Sequence, residues 1–214
     1  MLSSPETIEK QLSEAQARLK AVVTVLASKH KGGEWEEFRA AQDDLLRLER
    51  EVAKAHGWPY AIPCDFPVKW DAGAPLPFLL RNDCRTFLTF CIRKPAIDPL
   101  SSNKVSLCLV SFDHCTSAKL GHPNDEAQGG HPLYGRGLRG YTAQIVMNSP
   151  WIKEVAKTNS IHPNDNPKTW STLNHYVFWF HDSTFECLAK SYKVEVTSET
   201  MSELLNRVQA KLLA

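Results

Sequence analysis

The sequence predicts an α+β protein: an N-terminal antiparallel helical hairpin, then a mainly antiparallel β-sheet domain closed by a C-terminal helix. Three observations carry this. Two apolar stripes at helical spacing open the chain. Short apolar runs follow without the long helical crossovers that parallel sheets need. A last amphipathic segment ends it.

The first stripe is Ile8, Leu12, Ala15, Leu19, Val22 and Leu26, in steps of four and three. Ser4 followed by Pro5 suits an N-cap and first helical position. Lys31-Gly32-Gly33 breaks the helix. The second stripe is Trp35, Phe38, Ala41, Leu45, Leu48 and Val52, stopped by His56-Gly57 and Pro59. Residues 1–57 therefore form a helical arm. They hold nine basic and ten acidic residues, but only two of the 20 aromatics and no cysteine. Residues 58–214 form the sheet domain, with a Gly-rich loop at 121–140.

Five prolines between Pro59 and Pro77 predict an extended linker. Strand runs follow at Phe87–Ile92, Val105–Phe112 and Tyr141–Met147. Asn148-Ser149-Pro150 starts a helix, with Ser149 as N-cap. His175–His181 and Thr184–Val196 are the last strands. Ser198 begins a closing helix with Met201, Leu204, Leu205, Val208 and Leu212 on one face.

Net charge is +1. This excludes a strongly basic nucleic-acid binder. No apolar run approaches a membrane span and the N-terminus is too polar for a signal peptide, so the expectation is a cytoplasmic protein. The six cysteines show no paired spacing for structural zinc and are expected as reduced thiols. Cys115 follows His114, but neighbours on a strand point to opposite faces, which weakens them as a nucleophile–base pair.

The C-terminal hairpin is the most informative segment. A two-residue turn at Asp182-Ser183 would place Trp179 opposite Glu186. One face would then carry Tyr176, Phe178, Phe180, Phe185, Cys187 and Ala189, and must be core. The other would carry His175, Val177, Trp179, His181, Glu186 and Leu188. Either it is a solvated surface or it lines a cleft. In a cleft, Glu186 would orient His181 as a general acid/base.

Residues 114–141 hold three histidines, two arginines and six glycines. Glycines let a backbone approach a ligand closely. Arg136 and Arg139 are suited to clamping a carboxylate or phosphate. No P-loop or dinucleotide fingerprint occurs. His114, His122, Asp125, Glu126 and His131 are metal-ligand types without metal-site spacing, so no metal is expected; the cofactor is left unknown.

The segments HPLYGRGL (131–138), YTAQIVMNSPWI (141–152) and LNHYVFWFHDSTFECLA (173–189) resemble a family of uncharacterised bacterial proteins. WDAGAPLPFLLRNDCRTFL (70–88) and GHPNDE (121–126) are similar to it as well. The resemblance implies that roughly residues 60–200 belong to one domain, and carries no activity.

The functional expectation is a small-molecule enzyme or ligand-binding protein. Its pocket would lie between the 129–140 loop and the polar face of the 175–188 hairpin, with an anionic substrate. His181 and Glu186 would be the acid/base pair and His131 a second polar contact. Arg136 and Arg139 would hold the anion, with Trp179 and His175 beside them. The alternative is a non-catalytic assembly protein that uses the helical hairpin, including as a homo-oligomer.

Overall fold

The computed structural model describes residues 5–28, 34–92 and 106–214. Helix α1 (Pro5–Ser28) and helix α2 (Glu34–Ala55) form the N-terminal pair. His56, just past the end of α2, lies 3.5 Å from Glu9 near the start of α1, so the two run antiparallel. The α1 stripe faces inward: Ala15 and Val22 are buried, while Ile8, Leu12, Leu19 and Leu26 are half-buried. Ser4 and the Lys31–Gly33 turn lie outside the described residues.

The α2 stripe is broader than its sequence spacing indicates. Ala41 and Leu48 are buried as expected, but Leu46, Glu49 and Ala53 are buried as well. Trp35, the first residue of the predicted stripe, is exposed. The extra buried positions exist because α2 has two neighbours. One side meets α1, and the other meets β1 (Tyr60–Pro63) and the Gly-rich loop.

The sheet region is two antiparallel sheets rather than one. The remaining strands are β2 (Phe78–Arg81), β3 (Thr86–Ile92), β4 (Ser106–Asp113), β5 (Ser117–Gly121), β6 (Ala143–Met147), β7 (Asn174–Trp179), β8 (Thr184–Ala189) and β9 (Ser191–Thr197). One sheet has the order β1-β6-β7-β8-β5, the other β2-β3-β4-β9. The predicted strand Thr184–Val196 is therefore broken at Lys190, where the chain passes from one sheet to the other. The predicted linker contains β1, and its end leads into β2.

The main core lies where the sheets meet. Phe90 packs against Phe180 at 5.2 Å, and Phe112 against Phe178 at 6.1 Å and Phe185 at 5.3 Å, between ring centroids. Each fully buried Phe contributes about 1.5–3 kcal/mol through the area it removes from water. Trp70 caps this cluster and donates its indole N–H to the Trp179 carbonyl at 3.2 Å.

Helix α3 (Pro150–Asn159) starts where expected, with Ser149 accepting from the Ile152 amide. A short helix, α4 (Pro167–Ser171), was not expected; Asn166 caps it. Helix α5 (Met201–Leu213) begins three residues after the predicted start at Ser198, because Thr200 and Glu203 form a reciprocal capping box. Its Leu204 and Val208 cover Phe87, Cys91, Leu107 and Leu109 on the outer face of the four-stranded sheet.

Candidate functional site

The outer face of the five-stranded sheet carries His175, Val177 and Trp179 from β7, and Glu186 and Leu188 from β8. All five are buried, so this face is not a solvated surface. The Gly-rich loop covers it: Leu133 and Leu138 pack with Ala61, Val146, Val177 and Trp179.

The loop is bound down by polar groups of α2 and β6. The Gly137 amide donates to buried Glu49 at 2.8 Å. Arg50 donates to the Ala61 carbonyl at 2.8 Å and the Gly137 carbonyl at 3.1 Å. Gln144 donates to Gly137 O at 3.0 Å and accepts from the Arg139 amide at 2.9 Å. Burial pushes the Glu49 carboxyl above its ordinary range, partly opposed by the Gly137 amide and the Arg50 charge. Position 137 tolerates only glycine: φ is +81°, and a Cβ would lie 2.5 Å from Arg50 Cγ and 2.7 Å from the Ala61 carbonyl.

The β7–β8 register differs from the predicted one by two residues. Trp179 pairs with Thr184 and Val177 with Glu186, because the connection is four residues long rather than two. Phe180 closes it through a bond to Ser183 O at 2.9 Å. A shift of two preserves which residues share a face. It does change the partners. Glu186 does not orient His181, which now lies in the turn.

Glu186 instead accepts from His175 Nε2 at 2.8 Å and from Lys119 Nζ at 2.8 Å, with His131 Nε2 at 3.9 Å. The other His175 nitrogen, Nδ1, lies 2.9 Å from Ser149 Oγ. A carboxylate only accepts, so His175 Nε2 carries the proton and Nδ1 accepts from the serine hydroxyl. Likewise His131 Nδ1 accepts from the Leu133 amide at 3.1 Å, which leaves its proton on Nε2 toward Glu186. Burial alone would push the Glu186 carboxyl up. His131, His175 and Lys119 overcome that and hold it well below the usual carboxylate range.

The order serine, histidine, carboxylate is that of a nucleophile relay. Here Ser149 is only 5% exposed, and its oxygen also caps α3. The chain therefore anchors α3 to the sheet and keeps the hydroxyl away from solvent-borne substrates.

A second polar group is open. Residues 121–127 are fastened to the β7–β8 turn, where Asp125 N donates to His181 O at 3.0 Å and Thr184 Oγ1 donates to Pro123 O at 2.8 Å. This brings Asp125 Oδ2 to 2.9 Å from His181 Nδ1 and to 2.5 Å from the Tyr141 hydroxyl. The hydroxyl is also 3.1 Å from His181 Nδ1. The Tyr141 hydroxyl, followed by His181, lowers the Asp125 carboxyl below its ordinary value. Partial burial and the Asp125 charge push the Tyr141 phenol up to about 12. Tyr141 holds φ at +58°, a costly conformation for a bulky residue. The His181 side chain is 41% exposed, and its Nε2 lies 3.9 Å from Asp182 Oδ1.

The expected site residues thus separate. His175, Glu186 and His131 meet under the loop, and Trp179 lies beneath His131 with ring centroids 5.2 Å apart. The Trp179 indole N–H has no hydrogen-bond partner among the described residues. His181 stands apart at the turn. Arg139 is tied to α2, with Asp43 at 2.8 Å and Gln42 at 2.9 Å. Arg136 lies over the Trp58 ring at 5.0 Å. Sequence reasoning missed Tyr141, Lys119 and the bonding role of Ser149, and had weighed Asp125 only as a metal ligand. The GHPNDE segment was the available signal for Asp125, but nothing local ties it to a residue 56 positions later.

No protein family, curated protein or solved structure matches the chain. No helix among the described residues is long and apolar enough to cross a membrane.

Proposed function

We propose that the chain is a small-molecule enzyme or ligand-binding protein whose working group is His181. The observation that carries this is the Asp125–His181 contact. Asp125 holds Nδ1 at 2.9 Å, while the Asp182 carboxylate is no nearer than 3.9 Å to Nε2, so the lone pair of the neutral ring is on Nε2 of a partly exposed side chain. Such a base, positioned by a carboxylate, supplies about 10²–10⁴-fold in proton-transfer reactions. Tyr141 adds a hydroxyl beside it, and the strained backbone at this residue supports a functional role.

The site thus moves from the face under the 129–140 loop, which Leu133 and Leu138 fill, to the β7–β8 turn, with Asp125 replacing Glu186 as orienter. Glu186, His175 and His131 form the buried support beneath the loop. Arg139 is committed to Asp43 and Arg136 lies over Trp58, so neither arginine stands beside His181, and an anionic substrate has no arginine partner there. The six free thiols support a reducing compartment, and we place the protein in the cytoplasm.

The assembly reading has less support, since the α1 stripe packs on α2 of the same chain, with Ala15 and Val22 buried and its other four residues half-buried.

A thermal-shift screen of small metabolites on the wild type and on His181→Gln tests the proposal. It expects compounds that stabilise the wild type and fail to stabilise the variant. Compounds that stabilise both equally, or no stabilising compound, would count against it.

A further inference from the structure

A cleft of about 580 Å³ opens at the other end of the β7–β8 hairpin from His181. Leu173, before β7, and Lys190, after β8, line it. The strands between span six residues, so the two places are roughly 20 Å apart. Nothing said of His181 uses this cleft.

Its charge is one-sided. Arg81 at the end of β2, Lys168 on α4 and Lys190 bring three cations, against the single carboxylate of Asp83. Arg81 is held in place by a bond from Nη2 to Thr116 O at 2.8 Å, and its other donors form no hydrogen bond among the described residues. Lys168 and Lys190 are exposed and form no ion pair among the described residues. A concave surface of one sign concentrates the oppositely charged solute.

The second observation concerns a thiol. Cys115 also lines the cleft, half-buried. It packs against the core cluster that holds Cys187, fully buried, and its Sγ lies 3.3 Å from the Ser117 carbonyl. The neighbouring Cys187 thiol first of all, then Thr86 and the Arg81 charge, outweigh burial and bring the Cys115 thiol down to about 7. Cys187 itself goes the other way, raised by burial. The open member of the pair is thus the more acidic thiol, and the enclosed member the less acidic one. A thiolate beside cations at the wall of a cleft is a nucleophile, whereas a thiol in apolar surroundings is inert.

We propose that this cleft is a second site, which takes small organic anions bearing a carboxylate or phosphate and presents electrophilic ones to the Cys115 sulfur. In the simplest reaction the thiolate attacks a carbon bearing a leaving group. A carbon–sulfur bond forms, the bond to the leaving group breaks, and that group departs with its electron pair.

Iodoacetate and iodoacetamide differ in charge and share this chemistry, with iodide as leaving group. Labelling of Cys115 by each is followed by peptide mass spectrometry, in the Cys84→Ser protein so that the exposed thiol does not compete. The iodoacetate-to-iodoacetamide rate ratio is compared between folded protein and the same chain in urea. The proposal expects the folded ratio to be roughly tenfold higher. It expects Lys168→Gln with Lys190→Gln to bring the ratio down toward the unfolded value without changing Tm. Inorganic phosphate should slow iodoacetate more than sodium chloride of equal ionic strength does. A folded ratio no higher than the unfolded one, a ratio indifferent to both lysines, or a Cys115 that resists both reagents would overturn the proposal. No turnover is measured, so the result is independent of His181.

Discussion

Glu186 accepts a hydrogen bond of 2.8 Å from His175, its diagonal neighbour across the β7–β8 pair. Both side chains are buried. With Lys119 on the same carboxylate, this makes Glu186 the centre of a charged network under the Gly-rich loop. Glu186→Gln removes the charge while keeping the shape. The expected loss at pH 7 is about 1–3 kcal/mol, measured by urea unfolding.

The same network sets a pH dependence. The folded Glu186 carboxyl is held below its ordinary value, so the unfolded chain binds its proton first as acid is added. Its contribution is therefore complete well above the ordinary value of about 4.3 and is lost as the pH falls below it. The stability gap between wild type and Glu186→Gln should be largest near neutrality and narrow below about pH 4.3. A gap that widened on acidification would contradict this.

Gly137 and Gly135 separate two glycine effects. Both hold positive φ, +81° and +70°, but only Gly137 has neighbours that a Cβ would strike. Gly135→Ala should cost on the order of 1–2 kcal/mol, the conformational term alone. Gly137→Ala should cost more, because Arg50 and the Ala61 carbonyl are held by the bonds between them. Thermal unfolding of the two variants gives the order.

Arg139→Gln tests the part this residue plays. Its ion pair with Asp43 is partly exposed, with side chains 33% and 61% accessible, and such pairs contribute about 0–1 kcal/mol. The variant should lose little stability. It should also bind any ligand found for the His181 site as the wild type does, measured by calorimetry.

Tyr141→Phe removes the largest influence lowering the Asp125 carboxyl. Carbon-13 NMR titration of that carboxyl should show its midpoint move up toward the ordinary aspartate value. No movement would mean that the Tyr141 hydroxyl does not donate to Asp125 in solution.

Much of this fold was legible because its signals are local. The stripe Ile8 to Leu26, the Ser149-Pro150 helix start and the alternation of Tyr176, Phe178, Phe185 and Cys187 depend on neighbours a few residues away. The registers do not. Asp182-Ser183 is a weak turn dipeptide, and the wider turn shifts the pairing by two while leaving the faces intact. Short strands such as β5, reading SAKLG with mixed burial, carry too little pattern to identify. The partners of His181 and Glu186 were hidden for a related reason. Asp125 reaches His181 only because residues 121–127 are fastened to the turn, and Lys119 reaches Glu186 only through the pairing of β5 with β8.

The central claim is that Asp125 holds Nδ1 of His181 and leaves the lone pair on Nε2. Nitrogen-15 NMR of the His181 ring reads this without a substrate, above the pH at which the ring is protonated. The account predicts the Nδ1–H tautomer, with the lone pair on Nε2, and its loss in Asp125→Ala. An Nε2–H tautomer in the wild type, or a tautomer indifferent to Asp125→Ala, would contradict it.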